Sequence, residues 1–143
     1  MFYEEWEPIY KKIVRDFKFN IKDDEKAAQV LNKLLENKKN LCSVNKMENI
    51  IGNKEVVIFG AGHSLKNSIH SYKKRLEDKV KISADGATTA LLECNIHPNI
   101  IVTDLDGKIS DQIKANSKGS TTVIHAHGNN INEINKYTIK FEG

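Results

Sequence analysis

Two carboxylates two residues apart, Asp104 and Asp106, follow the apolar run Ile100-Ile101-Val102-Thr103 and precede Gly107. Carboxylates this close at the end of a buried strand repel one another unless a cation sits between them. Mg²⁺ takes one or two carboxylates and completes its shell with water and phosphate oxygens, so the pair suits a nucleotide-bound metal. Asp85, in Ala84-Asp85-Gly86-Ala87 after the run Val80–Ser83, is either a further acidic group at that site or the cap of the helix that follows.

Two more stretches carry polar chemistry. Gly60-Ala61-Gly62-His63-Ser64-Leu65 follows the run Val56–Phe59. Glycines let backbone amides approach an anion, and the next helix turns its positive end towards it. Leu65 stands where a dinucleotide fingerprint has its third glycine, and no Lys-Ser/Thr pair marks a Walker loop. The segment is therefore a phosphate cradle or a plain tight turn. In His125-Ala126-His127-Gly128-Asn129-Asn130 the two histidines point the same way if the preceding strand persists. Contact with substrate or phosphate, or a helix start at Asn129-Asn130, fits this run better than zinc, because the other histidines lie elsewhere.

These motifs need a frame. Short apolar runs at Val56–Phe59, Val80–Ser83, Ile100–Thr103 and Thr122–Ile124 read as strands. Between them, Leu65–Leu76, Thr88–Cys94 and Ile109–Ala115 read as helices. That rhythm predicts an α/β fold with a mainly parallel, Rossmann-like sheet and flanking helices. The strands are nearly all apolar, as in sheets covered on both faces. Ligands of such sheets bind beyond the carboxyl ends of the strands, where every motif above falls. Residues 1–51 read as a helical N-terminal segment before an α/β core at 52–143. Trp6, Ile9, Tyr10, Ile13, Val14 and Phe17 form one helical stripe, expected as core or dimer contact. Asp23 and Asp24 are expected to cap a second helix with Ala27, Val30, Leu31, Leu34 and Leu35 inside.

Bulk properties narrow the function. The 143 residues favour one globular domain. A net charge of +3, with no basic stripe interleaved with aromatics, argues against nucleic acid. No apolar stretch resembles a signal peptide or reaches the roughly 20 residues that span a bilayer. Cys42 and Cys94 are far apart, which suits reduced, partly buried thiols in a cytoplasmic protein.

Taken in order, the motifs resemble the archaeal 6-hydroxymethyl-7,8-dihydropterin diphosphokinase family, itself similar to the catalytic domain of thiamin pyrophosphokinases. The resemblance runs from about residue 3 to 135. It rests on Glu5-Trp6-Glu7-Pro8-Ile9-Tyr10, Asp16-Phe17, Gly60-Ala61-Gly62 with Ser64-Leu65, Ala84-Asp85-Gly86-Ala87, Pro98, Thr103-Asp104-Leu105-Asp106-Gly107 and His125-Ala126-His127-Gly128. It implies diphosphate transfer from ATP to the hydroxymethyl group of a reduced pterin, giving AMP, in the formation of folate- and tetrahydromethanopterin-type cofactors. It further implies Mg²⁺ on Asp104 and Asp106, supported by Asp85. Nucleotide or substrate contacts are implied for Gly60, Ala61, Gly62, Ser64, Gly86, His125, His127, Gly128 and Asn129. ATP and a reduced pterin are the implied partners, with a homodimer a further expectation. Asn129 stands where the family usually has Asp, and His63 where Pro is usual. The family pattern also continues past residue 143, so a fragment, a short variant or a chain that relies on a partner is expected.

Three other functions share features of this sequence. Val102-Thr103-Asp104-Leu105-Asp106-Gly107 also looks like the opening motif of haloacid-dehalogenase-type phosphatases, with Asp104 as nucleophile and Asp106 as general acid. That motif normally opens the first strand, and Lys108 replaces its usual Thr. A nucleotide-sugar transferase also carries a metal-binding Asp-x-Asp. A non-catalytic nucleotide-binding module would bind ATP with Mg²⁺ and turn nothing over.

Overall fold

The computed structural model describes residues 2–142. Four strands carry the fold: β1 (Val56–Phe59), β2 (Val80–Ala84), β3 (Ile100–Thr103) and β4 (Thr121–Ile124). All pair in parallel, in the order β1-β2-β3-β4. Three helices precede them, α1 (Tyr3–Asp16), α2 (Ile21–Glu36) and α3 (Val44–Ile51). The crossovers are α4 (Leu65–Tyr72) continued by a 3₁₀ turn at Lys73–Leu76, α5 (Ala87–Glu93) and α6 (Ile109–Asn116). After β4 a 3₁₀ turn at Gly128–Asn130 leads into α7 (Ile131–Tyr137). The α/β class and all four strands match the sequence expectation within a residue at each end.

The expectation that both faces of the sheet are covered is corrected. The register places Phe59, Ser83, Ile101 and Thr122 in one row, and Ile58, Ile82, Ile100 and Thr121 in the next, on opposite faces. The first face is covered: Val57 and Phe59 pack with Leu65, Ile69, Leu76, Ala87 and Leu91. The other face is covered only in part: Val80, Ile100 and Thr121 are buried, whereas Ile58 is 73% exposed and Val102 and Val123 are 39% and 40% exposed. The cause is topological. Neighbouring strands joined in sequence order by crossovers of one hand carry all their helices on one side.

A second core lies at the β4 end. Ala27 and Leu31 of α2 pack with Leu105, Ile134 and Phe141, and Ile113 and Ile124 flank them. The N-terminal segment is thus joined to the sheet through α2. Helix α1 buries none of its residues, and Trp6, Ile9, Ile13 and Phe17 stay exposed, so its stripe is no part of the core of the described chain. The cap of α2 is Asn20, whose side chain accepts from Lys22 N. Asp23 and Asp24 lie in the first turn instead, a correction to the capping expectation, though there they still oppose the positive helix end. Cys42 and Cys94 are free thiols of intermediate burial.

Candidate active site

The loops after all four strands open on one end of the sheet. Three of them touch: a Cβ on Gly86 would meet Ala61 Cβ at 3.6 Å, and one on Gly107 would meet Gly86 N at 3.3 Å. Gly107 also sits at φ +72°, where a side chain is strained. The loops that carry Gly60-Ala61-Gly62, Asp85-Gly86 and Asp104-Asp106-Gly107 therefore form one ledge. Gly60 and Gly62 face open space, with nothing within 4 Å of where a Cβ would stand. That is what close approach of a phosphate requires. Ser64 begins α4 without giving it a side-chain cap, and stays exposed beside the ledge.

Asp85 does not cap α5. The N-cap is Gly86, and Asp85 takes a left-handed φ of 41° that turns its carboxylate to the neighbouring loop. There Oδ1 accepts from Asp104 N at 3.2 Å. Burial pushes the Asp85 carboxyl above its ordinary value of 3.8, and the Asp104 charge adds to this, while a hydrogen bond from the Thr103 hydroxyl opposes it. A desolvated carboxylate beside another one creates local demand for a cation.

The Asp104–Asp106 turn is fixed from several sides. Leu105 adopts φ +69° and is held by burial in the second core, while its N–H donates to Thr103 Oγ1 at 2.8 Å. Asp104 Oδ1 accepts from Asp106 N at 3.2 Å. Buried Asn130 donates from Nδ2 to Asp104 O at 2.7 Å and to His125 O at 2.9 Å. Its Oδ1 accepts from His127 N at 3.0 Å, so one amide pins the ends of two strands. Buried Gln112 donates to Asp106 O at 2.7 Å. His127 Nε2 lies 3.4 Å from Asp104 Oδ2. Asp106 itself is exposed, its Oδ1 accepting from Gly107 N at 2.6 Å. The structure thus brings Asp85, Asp104 and His127 together, with Asp106 at the rim.

β4 ends at Ile124, so strand alternation does not carry through the motif, but His125 and His127 still lie side by side, ring centroids 5.7 Å apart. Among the described residues no group of three or more His, Cys, Asp or Glu side chains is disposed to hold a metal by itself. The donors fit Mg²⁺, a hard ion content with one or two carboxylates when phosphates and water supply the rest. Asp104, Asp106, His127, Asn129, Glu133 and Tyr137 line a cleft of about 450 Å³ beyond the strand ends.

Sequence reasoning missed Asn130, Gln112, Thr103 and Asp24. Asn130 lies inside a named motif, where contact with substrate or a helix start is expected rather than a buried clamp on two strand ends. Asp24 had no local signal: its Oδ1 accepts from Gly128 N at 2.8 Å across 104 positions of sequence. Gly128 is tied to that contact, since a Cβ there would lie 2.6 Å from Asp23 Cβ.

Comparison with known proteins places the chain in a family. The chain is 47% identical over 142 residues to a 6-hydroxymethyl-7,8-dihydropterin pyrophosphokinase of Methanocaldococcus jannaschii, covering 97% of this chain and 58% of that protein. Proteins of the same name from Pyrococcus furiosus and Methanothermobacter thermautotrophicus are each 41% identical, over 94% and 92% of this chain and 56% of their own lengths. The chain thus spans a little over half the length of these relatives. Residues 29–140 match the family described as 6-hydroxymethylpterin diphosphokinase MptE-like, and the chain belongs to that family.

Proposed function

We propose that the chain is the nucleotide- and metal-handling part of an ATP-dependent diphosphokinase acting on 6-hydroxymethyl-7,8-dihydropterin. The observation that carries this is the convergence of Asp85 and Asp104 beside three glycine loops at the carboxyl end of a parallel sheet. In the reaction the pterin hydroxyl oxygen bonds to the β-phosphorus of ATP. The bond from that phosphorus to the α,β-bridging oxygen breaks, and AMP leaves.

Phosphoryl transfer asks little covalent chemistry of a protein, so positioning and charge neutralisation dominate. Gly60, Ala61, Gly62, Ser64 and Gly86 offer backbone and open space to the phosphates. Asp104, Asp106 and Asp85 would hold Mg²⁺, which when bound neutralises charge on the phosphate oxygens. His127, held beside Asp104 by Asn130 and Gly128, is placed to accept or relay the hydroxyl proton. No described helix is long and apolar enough to cross a membrane, and two free thiols suit a reducing, cytoplasmic setting.

Incubation with Mg²⁺, ATP and 6-hydroxymethyl-7,8-dihydropterin, followed by nucleotide chromatography, tests this. Pterin-dependent AMP is the expected product; inorganic phosphate without AMP would point to a phosphatase. A second possibility follows from the extent of the relatives matched: a piece that binds Mg²⁺ and ATP without turnover. It would give nucleotide binding by calorimetry and no AMP.

A further inference from the structure

A second cleft, of about 440 Å³, lies on the far side of the His127–Asn129 loop from the Asp104–Asp106 cleft. His127 and Asn129 line both, so this loop is a common wall. The far wall comes from the N-terminal segment: Tyr10 of α1, Lys18 and Phe19 in the connection, and Asp23 and Asp24 of α2. We propose that this second cleft is the acceptor site, and that it takes a flat heterocycle with two adjacent N–H donors, the 2-amino-4-oxopyrimidine edge of a pterin. The assignment rests on the diphosphokinase function proposed above and extends it to residues outside the ledge.

The two carboxylates differ in what they are free to do. Asp24 is occupied: Oδ1 accepts from Gly128 N at 2.8 Å, and Oδ2 faces the Tyr10 hydroxyl at 3.5 Å. It builds the wall. Asp23 forms no hydrogen bond or ion pair with another side chain among the described residues, yet lines the same cleft. An ionised carboxylate presents two acceptors side by side and pairs best with two parallel donors. A pterin offers them at N3–H and the 2-amino group. Adenine presents a donor beside an acceptor on its exposed edge, so a lone carboxylate suits it less well. Phe19, stacked on Phe17 by one face, and Tyr10 supply apolar, flat surfaces of the kind such heterocycles stack on.

The placement also makes chemical sense. His127 reaches from this wall to within 3.4 Å of Asp104 Oδ2. A hydroxymethyl group directed past His127 therefore comes to the phosphate side of the wall, while the ring stays on the other. Gly128 keeps the wall thin, since a side chain there would collide with Asp23.

The test uses the oxidised, fluorescent analogue 6-hydroxymethylpterin, titrated into the whole chain, with Mg²⁺·ATP binding measured separately by calorimetry. Asp23→Asn puts a donor where an acceptor stood and keeps the Cβ packing against Gly128. It is expected to weaken pterin binding at least about tenfold, with Mg²⁺·ATP affinity unchanged. Phe19→Ala is expected to do the same, and Glu48→Gln, exposed on α3 outside both clefts, to leave pterin affinity as it was. The acceptor site is overturned if Asp23→Asn and Phe19→Ala bind the pterin within twofold of the parent. It is equally overturned if the parent binds Mg²⁺·ATP but no pterin. Binding of neither ligand would sink the diphosphokinase function, and the acceptor site with it.

Discussion

Asn130 donates to the carbonyl oxygens of both Asp104 and His125, tying the end of β3 to the end of β4 through one buried amide. Asn130→Ala would leave two carbonyls and the His127 N–H without partners in a part-buried setting. Each unsatisfied group costs about 1–3 kcal/mol, so a loss of several kcal/mol of stability is expected in urea denaturation. Asn130→Asp, which lacks the amide donor, should do no better. A loss under about 0.5 kcal/mol, the size of an ordinary surface change, would mean that water replaces the clamp.

Asp85 gives a pH signature. Its folded-state pKa is raised above 3.8, chiefly by burial and then by Asp104. The folded chain then holds the proton more tightly than the unfolded one. The stability linked to this group is fully present below 3.8 and is lost as pH rises through the raised value. Asp85→Asn should flatten that decline and raise the melting temperature at neutral pH without metal. Mg²⁺ with ATP should stabilise the parent and not the variant. Thermal melts from about pH 3 to 7, with and without Mg²⁺·ATP, would show both, and identical profiles would contradict the charge demand at Asp85.

Asp104→Asn removes the charge nearest Asp85 and His127 while keeping the amide-facing oxygen. Turnover measured as AMP release is expected to fall by about 100-fold or more, corresponding to several kcal/mol of lost charge stabilisation. Asp106→Asn, at the exposed rim, should fall less. Unchanged AMP release in Asp104→Asn would remove Asp104 from the proposed metal site.

The glycines separate a cradle from a simple turn. Gly60→Ala meets nothing within 4 Å and has no unusual φ, so folding stability should stay within about 1 kcal/mol of the parent. Mg²⁺·ATP affinity should nonetheless drop, because the new methyl occupies the open space proposed for the phosphates. Gly107→Ala, at φ +72° and 3.3 Å from Gly86 N, should lose about 1–2 kcal/mol of stability as well. Calorimetry on Gly60→Ala showing parental affinity would return this loop to a plain turn.

Much of this arrangement could be seen in the sequence, for local reasons. Strands such as Val56–Phe59 and Ile100–Thr103 are short apolar runs stopped by glycine or aspartate, so their ends are marked in the chain itself. The site motifs were visible because each follows directly on a strand, and parallel strands deliver their ends to one edge. What escaped were facts set by the third dimension. The exposure of Ile58, Val102 and Val123 on one face depends on the hand and order of the crossovers, and the strands look like those of a fully covered sheet. Asp24 at Gly128, and Gln112 at Asp106, are partners chosen by packing, and no spacing announces them. Asn20 took the cap expected of Asp23 and Asp24 because all three are good cap residues and only the chain path into α2 decides among them.

Leu105 stands between the two acidic residues in a conformation that L side chains avoid, and its side chain is anchored among Ala27, Leu31, Ile134 and Phe141. The aim of both carboxylates is therefore leveraged from an apolar socket to which helix α2 contributes. A cut between residues 51 and 52 would empty part of that socket and let the turn relax towards ordinary backbone, however intact the strands remained. Conservative repacking of Ala27 or Leu31 would be felt at the Asp104 and Asp106 carboxylates as a change of angle rather than of charge. Thermal robustness and chemical competence are thus inherited together here, through one leucine.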